Sequence, residues 1–284
     1  MEAVTAPAEL KFEIGKIYHR QKDLHPQFGG SWQSGIASSA QAPVVFLFTG
    51  DSGEQYGYRD ALDEHGVFSY TGEGQIGDMT LTGGNAAITN HAANGKALHL
   101  FKALGKGKGQ QYMGEFACAG YSWARGPDRE GNDRNVIVFR LVPVDRVVEE
   151  ALPGEAESLP KPTSLSEARH LAIQAASAST EVEPGSSVRR LYRRSEQVRE
   201  YVLMRANGIC ESCRKPAPFK RKDGSPYLEP HHINRLSDGG LDHPQYIGAI
   251  CPSCHREIHH GAHGKTKNEE LRAYVEAAEK EASA

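Results

Sequence analysis

Short apolar runs separated by glycine-rich turns mark the first half of the chain. The candidate strands are residues 44–49, 98–101 and 136–142, and the turns include residues 83–85 and 105–109. Runs of this length bounded by turn residues are typical of buried β-strands. Residues 86–93 add a candidate short helix. Residues 1–145 are therefore predicted to form a β-rich domain, a curved sheet or barrel with short helices.

A helical pattern follows in residues 146–187. Ser164-Leu-Ser-Glu167 fits a capping box at a helix start. Apolar residues then recur at helical spacing, namely Leu165, Ala168, Leu171, Ala172 and Ala175. Pro- and Gly-containing stretches flank this segment, which predicts a linker with one amphipathic helix. That helix could pack on either domain or mediate dimerisation.

Two further helices are predicted within a second domain, residues 188–284. The first spans about residues 188–205 and ends at Asn207-Gly208, because glycine favours the left-handed conformation that closes many helices. The second covers residues 271–280. The whole pattern predicts an α+β fold with a β-rich domain, a helical linker and a C-terminal domain.

The composition is that of an ordinary globular protein of about two domains. Of the 284 residues, 38% are hydrophobic and 24% are charged. No apolar run approaches the length of a membrane span, and the N-terminus lacks the basic and apolar regions of a signal peptide. We therefore expect a cytoplasmic protein without a membrane partner.

The net charge of −3 means that any affinity for nucleic acid must come from local patches. One basic run leads into the C-terminal domain and continues inside it, with Arg189, Arg190, Arg193, Arg194, Arg199, Lys220, Arg221 and Lys222. Such a run is either a solvated helix face or a phosphate-binding surface.

Four of the five cysteines form two Cys-x-x-Cys pairs that are separated by 37 residues. The pairs are Cys210 with Cys213 and Cys251 with Cys254. Each pair places two sulfurs on one tight turn, which is the spacing of a structural Zn²⁺ site with four thiolates. The fifth cysteine, Cys118, is expected to be a small core residue, and this cysteine usage suits a reducing compartment.

Histidines lie close to the same cysteines. His255 and His259 are four residues apart, so a helix after Cys254 would place both imidazoles on one face. His231 can supply a third metal ligand from a strand. Because adjacent strand residues point to opposite faces, His232 is left for another task, and an unligated histidine beside a metal suits a general base.

This combined pattern is Cys-x-x-Cys, Leu228-Glu-Pro-His-His-Ile233, Asp238-Gly-Gly240 and Cys-Pro-x-Cys-His-x-x-x-His. It resembles the zinc-bound HNH (ββα-metal) nuclease family over about residues 205–260. The resemblance implies that His231, His255 and His259 hold a catalytic metal and that His232 is the general base. The family's middle Asn aligns with Tyr246, so Gln245 or Asn234 supports the base-bearing loop instead, or the loop is held differently.

A second series of motifs occupies residues 12–145. It consists of Gly57-Tyr58-Arg-Asp60, Tyr70-Thr-Gly-Glu-Gly74, Gly83-Gly-Asn85 and Gly120-Tyr121. This series resembles the SRA family, whose members recognise modified cytosine by flipping 5-methylcytosine out of the duplex. The resemblance implies that Tyr58 and Tyr70 stack on the base and that Asp60 pairs with its edge, with Tyr56 as an alternative to Tyr58.

The residue types suit that task. A flipped base offers two π-faces and a hydrogen-bonding edge, which two aromatic rings and one carboxylate near cytosine N4 can hold. Stacking contributes roughly 1–3 kcal/mol per base, so phosphate contacts are needed as well. The glycines either serve tight turns or let the backbone approach DNA closely.

Two functions follow from these patterns. The first is a modification-dependent restriction endonuclease that recognises 5-methylcytosine, or 5-hydroxymethylcytosine, in double-stranded DNA and hydrolyses phosphodiester bonds nearby. The second is a non-cleaving reader of modified DNA with a structural zinc module. A nuclease that recognises another modification is a third candidate function.

The expected cofactors are a structural Zn²⁺ and a catalytic divalent ion, Mn²⁺, Co²⁺, Ni²⁺ or Mg²⁺, with imidazole ligation favouring the softer ions over Mg²⁺. One active site per chain predicts a homodimer, or else sequential nicking of the two strands.

Overall fold

A computed structural model describes residues 12–50, 60–62, 67–144, 162–177, 187–233 and 243–283. The chain folds into two compact units. The first comprises Met1–Glu150 and Ser179–Leu191, and the second comprises Ala151–Ala178 and Tyr192–Ala284. Within the described ranges, no helix is both long and apolar enough to cross a membrane.

The first unit is built on one mixed β-sheet. Its strands are β1 (Ile17–Tyr18), β2 (Ile36–Ser38), β3 (Val44–Thr49), β4 (Ala61–Leu62), β5 (Phe68–Thr71), β6 (Ala97–Ala103), β7 (Gln110–Pro127) and β8 (Asp133–Pro143). The order is β2-β3-β6-β7-β8-β5-β4, and β1 pairs with β7. Strands β3 and β6 are parallel, whereas the other pairs are antiparallel.

Strand β3 shows how the sheet is buried. Val45 and Leu47 belong to the large core cluster on one face, while Val44 and Phe46 belong to an aromatic-rich cluster on the other. Side chains alternate between the two faces of a strand, so a run of apolar residues without polar alternation requires burial on both sides. All four side chains are fully buried.

Short helical segments pack around this sheet. The turns Arg20–Leu24 and His25–Phe28 (α1) supply Leu24 and Phe28 to the aromatic-rich cluster. Helix α2 (Gly83–Thr89) begins three residues before the expected position and contributes Ile88 to the large cluster. Cys118 is buried in the large cluster, as expected.

The second unit contains a two-stranded sheet and helices. Its elements are α3 (Leu165–Ser177), α4 (Ser187–Ala206), which crosses the division between the units, β9 (Glu229–His232), a 3₁₀ turn (Pro244–Tyr246), β10 (Ile247–Ile250), α5 (Pro252–His260) and α6 (Gly264–Glu281). Strands β9 and β10 pair antiparallel, with His232 opposite Ile247. The succession β9, β10, α5 is a ββα unit, and the predicted α+β fold is confirmed.

Helix α3 packs inside the second unit. Ala168 and Ala172 share a buried cluster with Val198, Tyr201 and Val202 of α4. At the start of α3, the Ser164 hydroxyl accepts a hydrogen bond from the Glu167 amide at 3.1 Å, as a capping box requires. The Glu167 carboxylate, however, accepts from the Thr163 amide and hydroxyl rather than from the Ser164 amide.

A buried ionic network joins the elements of the second unit. The Arg205 guanidinium donates to both carboxylate oxygens of Glu211 at 2.8 Å and to Glu279 at 2.8 Å. It also donates to the Ile247 carbonyl at 2.7 Å. Burial alone would lower the pKa of Arg205, but the two carboxylates raise it. The network fixes Glu211, and with it the neighbouring Cys210, against β10 and α6.

Candidate functional site

Four cysteines converge in the second unit. The sulfurs of Cys210, Cys213, Cys251 and Cys254 all lie within 4.8 Å of one another. The Cys210 sulfur accepts from the backbone amides of Cys213 at 3.5 Å and Cys251 at 3.2 Å. Burial raises the pKa of the Cys254 thiol to about 12, and neighbouring thiols contribute to the rise. A cation is therefore needed to hold this set as thiolates, and four thiolates form a closed Zn²⁺ site.

Three histidines form a second cluster. His231 lies on β9, and His255 and His259 are one turn apart on α5. One ligand atom from each lies within 4.8 Å of the other two. The ring centroids are 5.0 and 5.1 Å apart. His231 is buried and His259 is exposed, so the cluster has a closed side and a solvent side, which suits a catalytic metal with open positions.

Two polar residues orient the rings of this cluster. Glu229 Oε2 lies 2.7 Å from His255 Nδ1, and Asn268 Oδ1 lies 3.0 Å from His231 Nε2. Since the Glu229 carboxylate accepts, His255 Nδ1 carries the proton and Nε2 carries the lone pair. Partners of this kind fix the orientation of metal-binding histidines.

Sequence reasoning missed both residues. Glu229 lies two positions before His231 on β9, so the period of a strand already placed the two on one face. Asn268 is on α6, 37 positions beyond His231, and nothing in the sequence linked them.

His232 lies beside the cluster on the same strand. It follows His231 on β9, so its side chain points to the opposite face. The residue is 6% exposed. Its role as a general base stays a prediction.

The segment after His232 is held by backbone and side-chain contacts. The Ile233 amide donates to the Tyr246 carbonyl at 2.9 Å, and the Ile233 carbonyl accepts from Asn268 Nδ2 at 2.8 Å. Tyr246 therefore supports this segment through its backbone. Gln245 donates its own amide to His243 Nδ1 at 3.4 Å. Asn234 lies outside the described residues.

In the first unit, Asp60 is the best-defined of the expected base-recognition residues. One carboxylate oxygen accepts from the Thr49 hydroxyl at 2.5 Å, and the other accepts from the Thr71 amide at 2.8 Å. Burial raises the pKa of Asp60 even though these hydrogen bonds oppose the shift. Tyr58 and its alternative Tyr56 lie outside the described residues.

Tyr70 is a core side chain in this conformation. It is 3% exposed and belongs to the large core cluster. Its hydroxyl lies 3.1 Å from the Gly35 carbonyl and 3.3 Å from the Phe48 carbonyl. The structure brings Tyr70 near Asp60, which bonds the next residue, Thr71. Stacking of Tyr70 on a base stays a prediction.

The glycine-containing motifs of the first unit pack against each other. Asn85 Oδ1 accepts from the Glu73 amide, and Asn85 Nδ2 donates to the Glu73 carbonyl. A Cβ on Gly72 would lie 2.7 Å from Asn85 Oδ1, and one on Gly84 would lie 2.7 Å from the Glu73 carboxylate. These distances are too short for a methyl group, so the two glycines permit close packing within the domain.

Comparison with known families and proteins matches both halves of the chain. The model described as "ScoMcrA-like, SRA domain" matches residues 14–159, and the HNH endonuclease model matches residues 210–261. The type IV methyl-directed restriction enzyme EcoKMcrA of Escherichia coli (strain K12) is 45% identical over 78 residues, which are 28% of this chain and 28% of that protein.

Solved structures with similarity include the type IV phosphorothioation-dependent restriction endonuclease ScoMcrA. It is 24% identical with a TM-score of 0.41, covering 97% of this chain and 62% of that one. The modification-dependent TagI restriction endonuclease is 20% identical with a TM-score of 0.35, covering 88% and 78%. The chain thus spans less than two thirds of the length of EcoKMcrA and of ScoMcrA.

The SRA match covers more than half of the 284 residues, and the HNH match coincides with the cysteine and histidine clusters. This chain therefore belongs to the ScoMcrA-like SRA domain family and carries an HNH endonuclease domain after its SRA domain.

Proposed function

We propose that this protein is a metal-dependent DNA endonuclease that cuts DNA carrying a modified base. The observation that carries the proposal is the convergence of His231, His255 and His259 on a ββα unit, with ligand atoms within 4.8 Å. The SRA match over residues 14–159 supports the assignment of DNA recognition to the N-terminal domain. We assign residues 1–145 to recognition, 146–187 to a linker and 188–284 to the nuclease domain.

The residues of the second unit fit the chemistry of phosphodiester hydrolysis. A divalent ion held by His231, His255 and His259 would supply Lewis-acid stabilisation of charge on the phosphate and the leaving oxygen. His232 accepts the proton of the attacking water as general base. Glu229 and Asn268 hold the metal-binding rings in orientation. Cys210, Cys213, Cys251 and Cys254 would hold a structural Zn²⁺ that joins the segment after α4 to the junction of β10 and α5.

In the first unit we assign recognition of the modified base to Tyr58, Asp60 and Tyr70. The Asp60 carboxylate accepts hydrogen bonds from Thr49 and from the backbone and side chain of Thr71. A carboxylate has about four acceptor sites, so one is left that can receive cytosine N4–H. EcoKMcrA is methyl-directed, and SUVH5 SRA domains have been solved with methylated and hydroxymethylated CG DNA. We therefore propose 5-methylcytosine or 5-hydroxymethylcytosine, flipped out of the duplex, as the first substrates to test.

A basic hairpin of the nuclease domain is suited to phosphate contact. Lys220 and Lys222 are exposed, and Phe219 beside them is 53% exposed. Phe219 stacks on Tyr227 with ring centroids 4.5 Å apart, and the Arg221 guanidinium covers the Tyr227 ring at 4.4 Å. This surface presents two exposed lysines beside aromatic rings, which suits contact with a DNA backbone. Arg199 is also exposed on α4.

One feature favours a second function, a reader of modified DNA that does not cleave. Tyr246 stands where the HNH family has its middle Asn, and Tyr246 contributes a backbone carbonyl rather than an amide side chain. A nuclease that recognises another modification is a further alternative, since ScoMcrA is phosphorothioation-dependent.

The test is cleavage of matched plasmids that are unmodified or carry 5-methylcytosine, 5-hydroxymethylcytosine or phosphorothioate. Each is incubated with Mg²⁺, Mn²⁺, Co²⁺ or Ni²⁺ and with wild type or His232→Ala. We expect cutting of a cytosine-modified plasmid only, and its loss in His232→Ala with DNA binding retained. Equal cutting of all plasmids would remove the assigned roles of Tyr58, Asp60 and Tyr70. Binding of modified DNA without cutting under any metal would establish the reader instead.

A further inference from the structure

One side chain, Asn268 of α6, contacts both parts of the candidate nuclease site. Its Oδ1 lies 3.0 Å from His231 Nε2, and its Nδ2 lies 2.8 Å from the Ile233 carbonyl oxygen. His231 belongs to the metal-binding cluster, and Ile233 directly follows His232. A single amide therefore bridges the two segments whose relative position the proposed reaction requires.

The hydrogen bonds also fix the tautomer of His231. A carbonyl oxygen only accepts, so the Asn268 atom facing Ile233 must be the NH₂ group. The atom facing His231 is then Oδ1, which accepts, and His231 Nε2 must carry the proton. In the neutral ring the lone pair consequently lies on Nδ1. This arrangement selects one ring nitrogen of His231 for metal binding, as Glu229 does for His255.

Close packing sets the position of Asn268. Leu271 and Val275, farther along α6, are buried in the core of the unit. Gly248 of β10 lies against Leu271 so closely that a Cβ there would be 2.9 Å from the leucine side chain. At the start of α6, a Cβ on Gly264 would meet the Ile258 carbonyl of α5 at 2.2 Å. Helix α6 is therefore fixed against β10 and against the helix that carries His255 and His259.

We propose that Asn268 is a positioning residue that couples the orientation of the metal ligand His231 to the placement of the general base His232. The proposal rests on the proposed nuclease function. Asn268 supplies from α6 the amide side chain that Tyr246 lacks, while the Tyr246 carbonyl holds the other backbone group of Ile233 at 2.9 Å. The two polar atoms of Asn268 thus have separable tasks. Oδ1 orients the metal ligand His231, and Nδ2 holds the segment that carries His232.

Two substitutions separate these tasks. Asn268→Asp keeps an acceptor for His231 Nε2–H but presents an oxygen to the Ile233 carbonyl, so only the second contact is lost. Asn268→Ala removes both contacts. Glu269→Gln changes an exposed residue of the same helix and is the matched control. For each zinc-loaded full-length protein, Mn²⁺ affinity is measured by calorimetry, and cleavage of the modified plasmid is measured at saturating Mn²⁺.

We expect Asn268→Ala to bind Mn²⁺ about 10–100-fold more weakly than wild type, the usual effect of losing such a partner. Asn268→Asp should bind Mn²⁺ at least as tightly as wild type yet cleave at least about tenfold more slowly at saturating metal, since a base displaced by a small distance loses rate steeply. Glu269→Gln should match wild type in both measurements.

Wild-type Mn²⁺ affinity in Asn268→Ala would overturn the role at the metal ligand. Wild-type cleavage by Asn268→Asp would overturn the role at the base. If Asn268→Ala loses its zinc or unfolds, Asn268→Asp decides the question by itself. An Mn²⁺ affinity of Asn268→Asp well below that of wild type would contradict the proposal. If wild type binds Mn²⁺ but cuts no DNA, the proposed function fails, and the Mn²⁺ affinities still show whether Asn268 supports His231.

Discussion

At the scale of single residues, the recognition role that we propose for Asp60 would oppose the stability of the fold. Burial raises the pKa of this carboxyl, so the folded state binds its proton more tightly than the unfolded state does. The stability that Asp60 contributes is then present at low pH and is lost as the pH rises from the unfolded pKa through the folded pKa. At neutral pH the ionised, partly buried carboxylate is a cost that binding of a cytosine edge can offset.

We therefore predict that Asp60→Asn is more stable than wild type at pH 7 but binds modified DNA more weakly. The amide keeps an acceptor for the Thr71 amide and removes the buried charge. A gain of 1 kcal/mol corresponds to a rise of about 2–4 °C in the unfolding temperature for a domain of this size. The difference should vanish below about pH 3, where the carboxyl is protonated in both states.

Thermal unfolding between pH 3 and pH 8, together with binding to methylated and unmethylated duplexes, checks this prediction. Asp23→Asn offers a control, because Asp23 lies in the same unit and its carboxylate caps the His19 amide on an exposed turn. Equal DNA affinity of wild type and Asp60→Asn would remove Asp60 from the recognition site.

The residue scale also shows what the sequence can and cannot predict. The four cysteines and three histidines of the two clusters fall within 50 residues. They repeat at the spacings of turns and of one helix, so their grouping could be predicted from local geometry. Asn268 comes from a helix whose register depends on tertiary packing, which no local pattern encodes. Tyr70 is ambiguous for another reason, since an aromatic side chain in a strand suits a core and a base contact equally well.

At the scale of elements, a strand could be predicted from the sequence where both of its faces are buried. A strand with one exposed face was harder to predict. The apolar run of β3 made that strand evident. Strand β7 extends over 18 residues, yet several of its positions are exposed and it contains Gly114, Gly120 and Gly126. Its register shifts between Cys118 and Gly120, where it pairs with β8. A bulge interrupts the two-residue period, so the pattern that predicts a strand breaks down there.

The packing of helices in the second unit depends on Arg205, which leads to a second prediction. Replacing Arg205 with Met leaves the Glu211 and Glu279 carboxylates buried without their shared partner. Breaking a buried ionic pair in this way costs about 3–5 kcal/mol. Denaturant unfolding of the full chain, followed by signals from the second unit, should show a loss of that size.

Arg199→Met is the matched control for that measurement. Arg199 lies on the same helix and pairs with Glu196, but both side chains are more than a third exposed. Such a surface change alters stability by no more than about 0.5 kcal/mol. Equal free energies of unfolding for Arg205→Met and Arg199→Met would mean that the ionic network does not stabilise the second unit.

The cysteine cluster supports a third prediction, on metal removal. The Cys210–Cys213 pair follows α4, and the Cys251–Cys254 pair lies where β10 passes into α5. Because Zn²⁺ would join these two segments, its loss should unfold the region around β9, β10 and α5. A chelator should lower helical content and abolish Mn²⁺ binding at the histidines, while the SRA unit keeps its DNA affinity. Cys213→Ala should lose the stoichiometric zinc, whereas Cys118→Ala, in the core of the other unit, should retain it.

At the scale of the whole molecule, the number of active sites per chain bears on how duplex DNA is cut. The described residues contain one set of three histidines that could hold a catalytic metal, and one such site acts on one strand at a time. The two strands of a duplex run antiparallel, so a second site in a two-fold related copy would meet the other strand in an equivalent orientation. We accordingly predict that the protein cuts as a homodimer.

Two observations on one reaction test that prediction. A homodimer converts supercoiled modified plasmid directly to the linear form, and light scattering on a modified duplex gives the mass of two chains. A monomer that nicks the strands in turn accumulates open circles first and scatters as one chain. Mixing wild type with His232→Ala adds a quantitative check, because mixed dimers keep one active site and should convert supercoiled plasmid to open circles. The yield of open circles should be greatest when the two proteins are mixed in equal amounts and should fall again when the mutant is in excess. If the mixture instead only slows linearisation, each chain acts independently and the dimer prediction is wrong.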